Sequence, residues 1–184
     1  MHVTAQPTPN PATLKFLLDV DILDAGTADF PDAAAAEAGS PLAGQLFALA
    51  GVTGVFLGRD FVSVTRSGGA DWAALAPAVE ATLRRFVRQG GPVLRQRPAV
   101  PAAAVSGADQ AVVARIEALL ESHIRPGVAL DGGNIAFRGY GEGIVYLEMQ
   151  GACAGCPSSV MTLRYSVENL LRHYVPEVRE VRAV

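Results

Sequence analysis

Sulfur and imidazole are scarce in this chain: 184 residues hold only two cysteines and three histidines. A tetrahedral zinc site or a four-iron cluster normally takes four soft ligands, so two thiols cannot close such a site within one chain. Charge of one sign is also missing. Fifteen Lys and Arg against eighteen Asp and Glu give a formal charge of -3, with none of the basic excess that drives binding to nucleic acid or anionic lipid. Neither partner is expected. No apolar run approaches the roughly 20 residues needed to span a bilayer. The first residues, Met1 to Pro11, carry no arginine and none of the charged-then-apolar pattern of a secretory signal. On that reading the protein is expected in a cytoplasm, that of a bacterium, where both thiols stay reduced. Catalytic constellations are absent as well: the sequence has no nucleophile elbow with Ser, His and acid, and no phosphate loop of the P-loop type.

What the chain has in quantity is apolar residues, 50% of the total, enough for a core in one domain or two. The clearest internal break is the Gly, Pro and Ala-rich stretch from Gln89 to Ala104, which reads as a linker. It divides the chain into residues 1–89, a linker at 90–105, and residues 106–184. Before it, Ala12 to Val20 predicts a strand and Pro41 to Ala50 a short helix capped by Ser40. Val52 to Leu57 and Phe61 to Thr65 flank Gly58-Arg59-Asp60 as a hairpin. Trp72, Leu75, Val79, Leu83 and Phe86 recur at helical spacing behind Asp71 as cap, with Pro77 marking either a kink or the true start. The alanine run Ala33 to Ala36 reads as a loop or a helical turn.

After the linker, Ser106 and Asp109 suggest a capping box for a helix carrying Val112, Ile116, Leu119 and Leu120, which should stop at Ile124-Arg125-Pro126. Asp131-Gly132-Gly133 is a turn expected beneath the cysteine loop, not a catalytic acid. Ile135 to Arg138 and Ile144 to Met149 are strands joined through Gly139 to Gly143. A helix with Val160, Leu163, Val167, Leu170, Leu171 and Tyr174 on one side follows, ending near Pro176, and Val178 to Val184 closes as a short strand. The fold class is α+β: two small α/β sandwich-like domains joined by a Gly/Pro/Ala-rich linker.

Both cysteines lie in Gly151-Ala152-Cys153-Ala154-Gly155-Cys156-Pro157-Ser158-Ser159. Two thiols this close can converge on one metal or close one disulfide, and the flanking glycines let the backbone curl around what the sulfurs hold. Pro157 suits the first turn of a helix, so Cys156 would adjoin unsatisfied amides and the positive end of a helix dipole, which favour negative sulfur. Three readings compete. Buried structural thiols do not call for glycines on both sides. A dithiol redox centre fits the strand and helix, although no parallel βαβ order is evident. Metal or cluster binding needs more ligands than one chain supplies. Two loops related by a two-fold axis would supply four thiolates, giving an exposed site suited to transfer. His173 lies about 25 Å of helix away from Cys156. His123 reads as a C-terminal dipole partner, His2 as disordered, Trp72 as core, and Arg84, Arg85 and Arg88 as a solvated helix face.

These residues carry a resemblance. From Ile124-Arg125-Pro126 and Asp131-Gly132-Gly133, through Gly143-Ile144-Val145, to the cysteine loop, Thr162-Leu163 and Val175-Pro176-Glu177-Val178, the C-terminal half resembles the NifU C-terminal, or Nfu, domain of iron-sulfur cluster carriers. The N-terminal half is similar to the Nfu N-terminal domain through Gln6 to Pro11, Leu14-Lys15-Phe16, Ser40 to Ala43, Leu46-Phe47, Phe61-Val62 and Asp71-Trp72. The resemblance implies a scaffold or carrier that binds a 4Fe-4S cluster on Cys153 and Cys156 of a homodimer, receives it from an upstream assembly scaffold, and passes it to apo client proteins. It makes or breaks no bond of a substrate in turnover, so it is not expected to be an enzyme. The alternative is a dithiol-disulfide oxidoreductase using the same pair, with a zinc-binding interaction module as a weaker third choice. The chain departs from the family pattern at Asn134, where an acidic residue is common, at Tyr165-Ser166, where a glycine is usual two residues before Glu168, and at Gly127, where a larger residue is common.

Overall fold

The computed structural model describes residues 2–95, 107–154 and 157–184, and for 107–109 and 157–159 the backbone alone. The expected capping residue Ser106 and most of the expected linker lie outside them. Two compact units, Met1–Pro98 and Ala99–Val184, divide the chain. Each combines helices with one sheet, in keeping with the α+β class.

The first unit contains strands β1 (Val3–Pro7), β2 (Thr13–Leu18), β3 (Ala28–Phe30), β4 (Val52–Leu57) and β5 (Phe61–Arg66), and helices α1 (Ala33–Gly39), α2 (Pro41–Phe47) and α3 (Trp72–Gln89). The strands form one antiparallel sheet in the order β1-β2-β5-β4-β3. Leu14, Phe16 and Leu18 alternate along β2 and face a core shared with Leu42, Leu46, Val79 and Leu83 from the helices. Ser40 is the joint between α1 and α2. Its N–H donates to Ala36 O, closing α1, and its hydroxyl accepts from Ala43 N–H, capping α2. The same hydroxyl donates to Val93 O at 2.6 Å, and Arg95 N–H donates to Gly39 O, so residues 93–95 lie on this unit.

Several expectations change here. The alanine run is a two-turn helix because Asp32 caps it, accepting from Ala35 N–H at 2.7 Å. Pro77 does not start α3: Asp71 accepts from Ala73 N–H and fixes the start at Trp72, and Gly90 ends the helix at φ 64°. Strands β1 and β3 carried no readable alternation; β1 is an edge strand on which only Val3 is buried. The His2 N–H donates to Asp19 Oδ2 at 2.8 Å and holds that carboxyl below its usual range. Trp72 is partly buried against the core, with the Arg66 guanidinium over its ring.

The second unit contains α4 (Gly107–Leu119), a π-helical turn (Leu120–Ile124), α5 (Arg125–Leu130), β6 (Gly133–Gly141), β7 (Ile144–Gly151), α6 (Pro157–Tyr174) and β8 (Glu180–Ala183). The chain therefore stays helical past Ile124-Arg125-Pro126. Arg125 N–H reaches back to Leu120 O, a wider turn, and Pro126 then occupies the first turn of α5, where its missing N–H costs nothing. The hairpin of β6 and β7 is longer than expected. Its turn is only Glu142-Gly143, both at positive φ (53° and 82°), the type I′ geometry that matches strand twist.

The sheet order is β6-β7-β8, with β7 and β8 parallel. That makes β7-α6-β8 a βαβ crossover, correcting the expectation that none surrounds the cysteines. Ile116, Leu120, Leu147, Val167, Leu171 and Val181 form its fully buried centre. Both open edges are met by side chains. Val181 N–H donates to Glu168 Oε2 at 3.0 Å and Val181 O accepts from Arg164 at 3.2 Å, while Arg125 donates to Ile135 O on β6. Glu168→Ala leaves the Val181 amide without its acceptor and is expected to cost about 1–3 kcal/mol. Urea unfolding of the full chain followed by far-UV circular dichroism checks this, and an unchanged midpoint would show that water replaces the carboxylate without loss.

Candidate thiolate site at the end of β7

The site begins where β7 ends. Gly151 turns the chain at φ 63°, Ala154 N–H donates to Gly151 O at 3.1 Å, and Ala152 N–H donates to Gly132 O at 3.1 Å. The Asp131-Gly132-Gly133 turn therefore does lie against the cysteine loop. Gly132 itself sits at φ 80°, where a side chain would be strained. Asp131 is exposed and ends α5, a turn residue with no place in the site.

Gly133 has no room for a side chain. A Cβ there would stand 2.7 Å from Cys153 Sγ and 2.7 Å from Gln150 O. Cys153 is accordingly packed inward, 7% exposed, in the same core as Leu147 and Val167. Cys156 lies outside the described residues. Its sequence neighbour Pro157 opens α6, and the amino end of that helix favours negative charge.

On the face of the hairpin opposite Ile135 and Leu147 a polar ladder leads to this turn, exposed at Arg138 and buried at Gln150. Arg138 pairs with Glu148, Gln150 donates to Glu148 at 3.1 Å, and Asn134 donates to Gln150 at 3.4 Å. No signal in the sequence tied these four together, because each is an unremarkable polar position in a strand. The ladder supplies an account of Asn134, since its amide can donate to Gln150 where a carboxylate could not.

The histidines stand elsewhere. His123 and His173 both pack on Tyr174, with ring centroids at 6.1 and 4.7 Å, at the opposite end of α6. His123 belongs to the π-helical turn and not to a helix C-terminus; its Nδ1 lies 2.7 Å from the Ser122 hydroxyl. Among the described residues no three His, Cys, Asp or Glu side chains are grouped to hold a metal ion. The arginines of α3 form the expected surface face: Arg84 pairs with Glu80, Arg85 reaches Gln45, and Arg88 donates to Arg84 O. Among the described residues no helix is long and apolar enough to cross a membrane.

Comparison with known proteins gives a consistent result for both units. Residues 116–182 match the NifU-like domain and residues 3–90 match the scaffold protein Nfu/NifU N terminal. The chain is 45% identical over 185 residues to the Drosophila erecta protein "NFU1 iron-sulfur cluster scaffold homolog, mitochondrial" and 44% identical over 185 residues to Arabidopsis thaliana "NifU-like protein 4, mitochondrial". These alignments cover 100% and 98% of this chain and 65% of each relative. A solution structure of a NifU-like protein from Saccharomyces cerevisiae is 24% identical, covers 53% of this chain and 87% of its own, and superposes loosely, with a TM-score of 0.43. The expectation of a bacterial cytoplasm is overturned, since relatives at this identity are named mitochondrial. The resemblance of each half and the matches agree, and the chain belongs to the Nfu/NifU family, with a Nfu N-terminal domain followed by a NifU-like domain whose residues include both cysteines.

Proposed function

We propose that this protein is an iron-sulfur cluster scaffold and carrier that takes a 4Fe-4S cluster on Cys153 and Cys156 of two subunits and passes it to apo client proteins. The cluster is cargo, received from an upstream assembly scaffold. The observation that supports this reading is that Cys153 follows closely on the end of β7 and that Cys156, in sequence, immediately precedes the first residue of α6, with only two thiols per chain. Four-fold thiolate ligation then takes two chains. Relatives named as iron-sulfur cluster scaffolds support it. The residues are assigned as two domains, 1–89 and 106–184, joined by 90–105, of which 93–95 are held on the first domain by Ser40 and Gly39. The N-terminal domain has no cysteine and is assigned to partner recognition or cluster access.

The chain's own groups make transfer intelligible. Amides in the first turn of α6 stabilise the negative charge of a thiolate-bound cluster. Gly132 and Gly133 fix the loop without filling the space that sulfur needs. Cys153 must leave its inward packing to reach iron, so binding competes with burial of one small side chain, and a client with better-placed thiolates wins by exchange. No substrate bond is made or broken.

One observation favours the runner-up. The parallel β7-α6-β8 crossover is also the setting in which dithiol redox pairs occur. Anaerobic reconstitution with iron and sulfide separates the two. The carrier is expected to turn brown, hold about two irons per chain as a dimer, and lose colour in Cys153→Ala with Cys156→Ala. A colourless monomer that readily forms an internal disulfide would establish the oxidoreductase instead.

A further inference from the structure

In the N-terminal unit, helices α1 and α2 meet at Ser40, and the angle between them is an open groove of about 540 Å³. Ala33 and Glu37, one turn apart on α1, line one side, and Pro41, Gly44 and Ala48 recur at helical spacing along the other, beside a half-buried Phe47. Nothing within the fold accounts for Gly44. It stands in the middle of α2, where glycine weakens a helix. Its φ is not positive, and a Cβ there would meet nothing within 4 Å among the described residues. A bare helix backbone facing the open space of a groove suits close approach by another molecule. Charge is uneven around the same groove. Residues 72–95 carry Arg84, Arg85, Arg88 and Arg95 against the single acid Glu80, in a chain whose net charge is -3. Among the described residues Arg84 alone of these four is paired with a carboxylate. Arg85 reaches Gln45 on the groove wall at 3.4 Å, and Arg95, whose N–H donates to Gly39 O, lines the groove where the two helices meet. The one acid in the lining is Glu37, on the α1 side.

We propose that this groove docks an amphipathic helix of a partner protein, one that carries acidic side chains along a single flank. The inference rests on the assignment of the N-terminal domain to partner recognition and specifies both the surface and the chemistry of what it takes. A helix laid in the angle packs its apolar stripe on Ala33, Ala48 and Phe47 and comes closest over Gly44, ridge into groove. Its Asp and Glu flank then meets Arg85 and Arg95, which have no carboxylate of their own, and its other flank, facing Glu37, carries no acid. A basic helix is turned away by the same arginines. The groove is short, because α1 and α2 have seven residues each, or about 10 Å of helix. Contact is therefore confined to a few turns of the partner, an interface of the small, rapidly exchanging kind that a carrier serving more than one protein requires.

The test uses the apo full chain and a fluorescein-labelled synthetic peptide of about 14 residues, about 21 Å of helix, with Leu and Ala on one stripe, Glu along one flank and Gln elsewhere. Fluorescence anisotropy reads binding, and the same peptide with Lys for every Glu is the comparison. The wild type is expected to bind the acidic peptide at micromolar concentrations, to bind the Lys peptide about tenfold more weakly or worse, and to lose affinity as salt rises. Gly44→Gln is expected to weaken binding about tenfold or more while raising the melting temperature, because one side chain both fills the groove and improves the helix. Arg85→Glu with Arg95→Glu should weaken binding by a similar factor. Arg59→Glu with Arg182→Glu makes the same change of charge at exposed positions outside the groove and should bind as wild type. A wild type that ignores the acidic peptide or prefers the basic one overturns the inference, as does a Gly44→Gln chain that binds undiminished or a control as impaired as the groove variants. Iron per chain after anaerobic reconstitution is read on the same proteins and should match wild type, since no thiol lines the groove. Failure of the carrier reading shows in that iron content, and failure of the docking groove shows in the anisotropy alone.

Discussion

Gly133→Val is expected to destabilise the C-terminal unit by about 3 kcal/mol and to expel the Cys153 thiol from its packed position. The two closest obstacles to a new Cβ are of different kinds. Cys153 Sγ can move, but Gln150 O, also at 2.7 Å, is the backbone of the paired strand, and Cys153 N stands at 3.1 Å. Gly133 is paired directly with Gly151 at the end of the β6-β7 ladder, so shifting it disturbs the strand end from which the cysteine loop departs. Two measurements separate the effects. Urea unfolding reports the loss of stability, and mass spectrometry after iodoacetamide treatment under native conditions reports the modification rate at Cys153. A rise in that rate with unchanged far-UV circular dichroism would show the thiol released from an otherwise intact fold. Wild-type stability together with wild-type reactivity would mean that the turn absorbs the side chain elsewhere.

In the N-terminal unit the largest loss is expected from Phe16→Ala, about 3–5 kcal/mol. Phe16 lies on β2, paired with Ala5 of β1 on one side and Val62 of β5 on the other, and is fully buried. Its ring belongs to the core formed with Leu42, Val79 and Leu83, and truncation leaves a cavity that neighbours held in two strand pairings cannot close. The chain has one tryptophan, Trp72, at the start of α3 and packed on that same core. Its fluorescence therefore reports this unit selectively. Guanidinium unfolding followed at Trp72 should show a midpoint far below that of wild type, and a shift worth less than about 1 kcal/mol would mean that the core repacks around the gap.

How much of this could be read in advance depended on what kind of force fixes each element. Helices α3 and α6 and the hairpin strands declared themselves because burial imposes a period on many residues at once. Ser40 and Asp71 were legible as caps because a short polar side chain before an apolar run has few other uses. The cysteine loop stood out through residue types that are costly to place by accident. The parallel direction of β8 was not readable: four residues carry no period, and their direction follows from the length of α6 and its return path. The continuation through Leu130 was hidden because a proline signals a stop in isolation, and only the wider turn over Leu120–Ile124 makes room for it. Glu168, Arg164 and Arg125 looked like ordinary surface charges, since nothing local says that a sheet edge will lie beside them. The compartment was misread because residues chosen to fold carry no address.

The parallel pairing of β7 with β8 also sets a schedule for synthesis. Glu180 to Ala183 must leave the ribosome before β7 has its neighbour, and the stretch from Cys153 to Ala183, made at about 5–20 residues per second, occupies on the order of a few seconds. Until β8 docks, the core that buries Cys153 in the finished protein lacks Val181 and is incomplete. Protection of the Cys153 thiol from oxidation and stray metal therefore comes last, with the docking of the final strand.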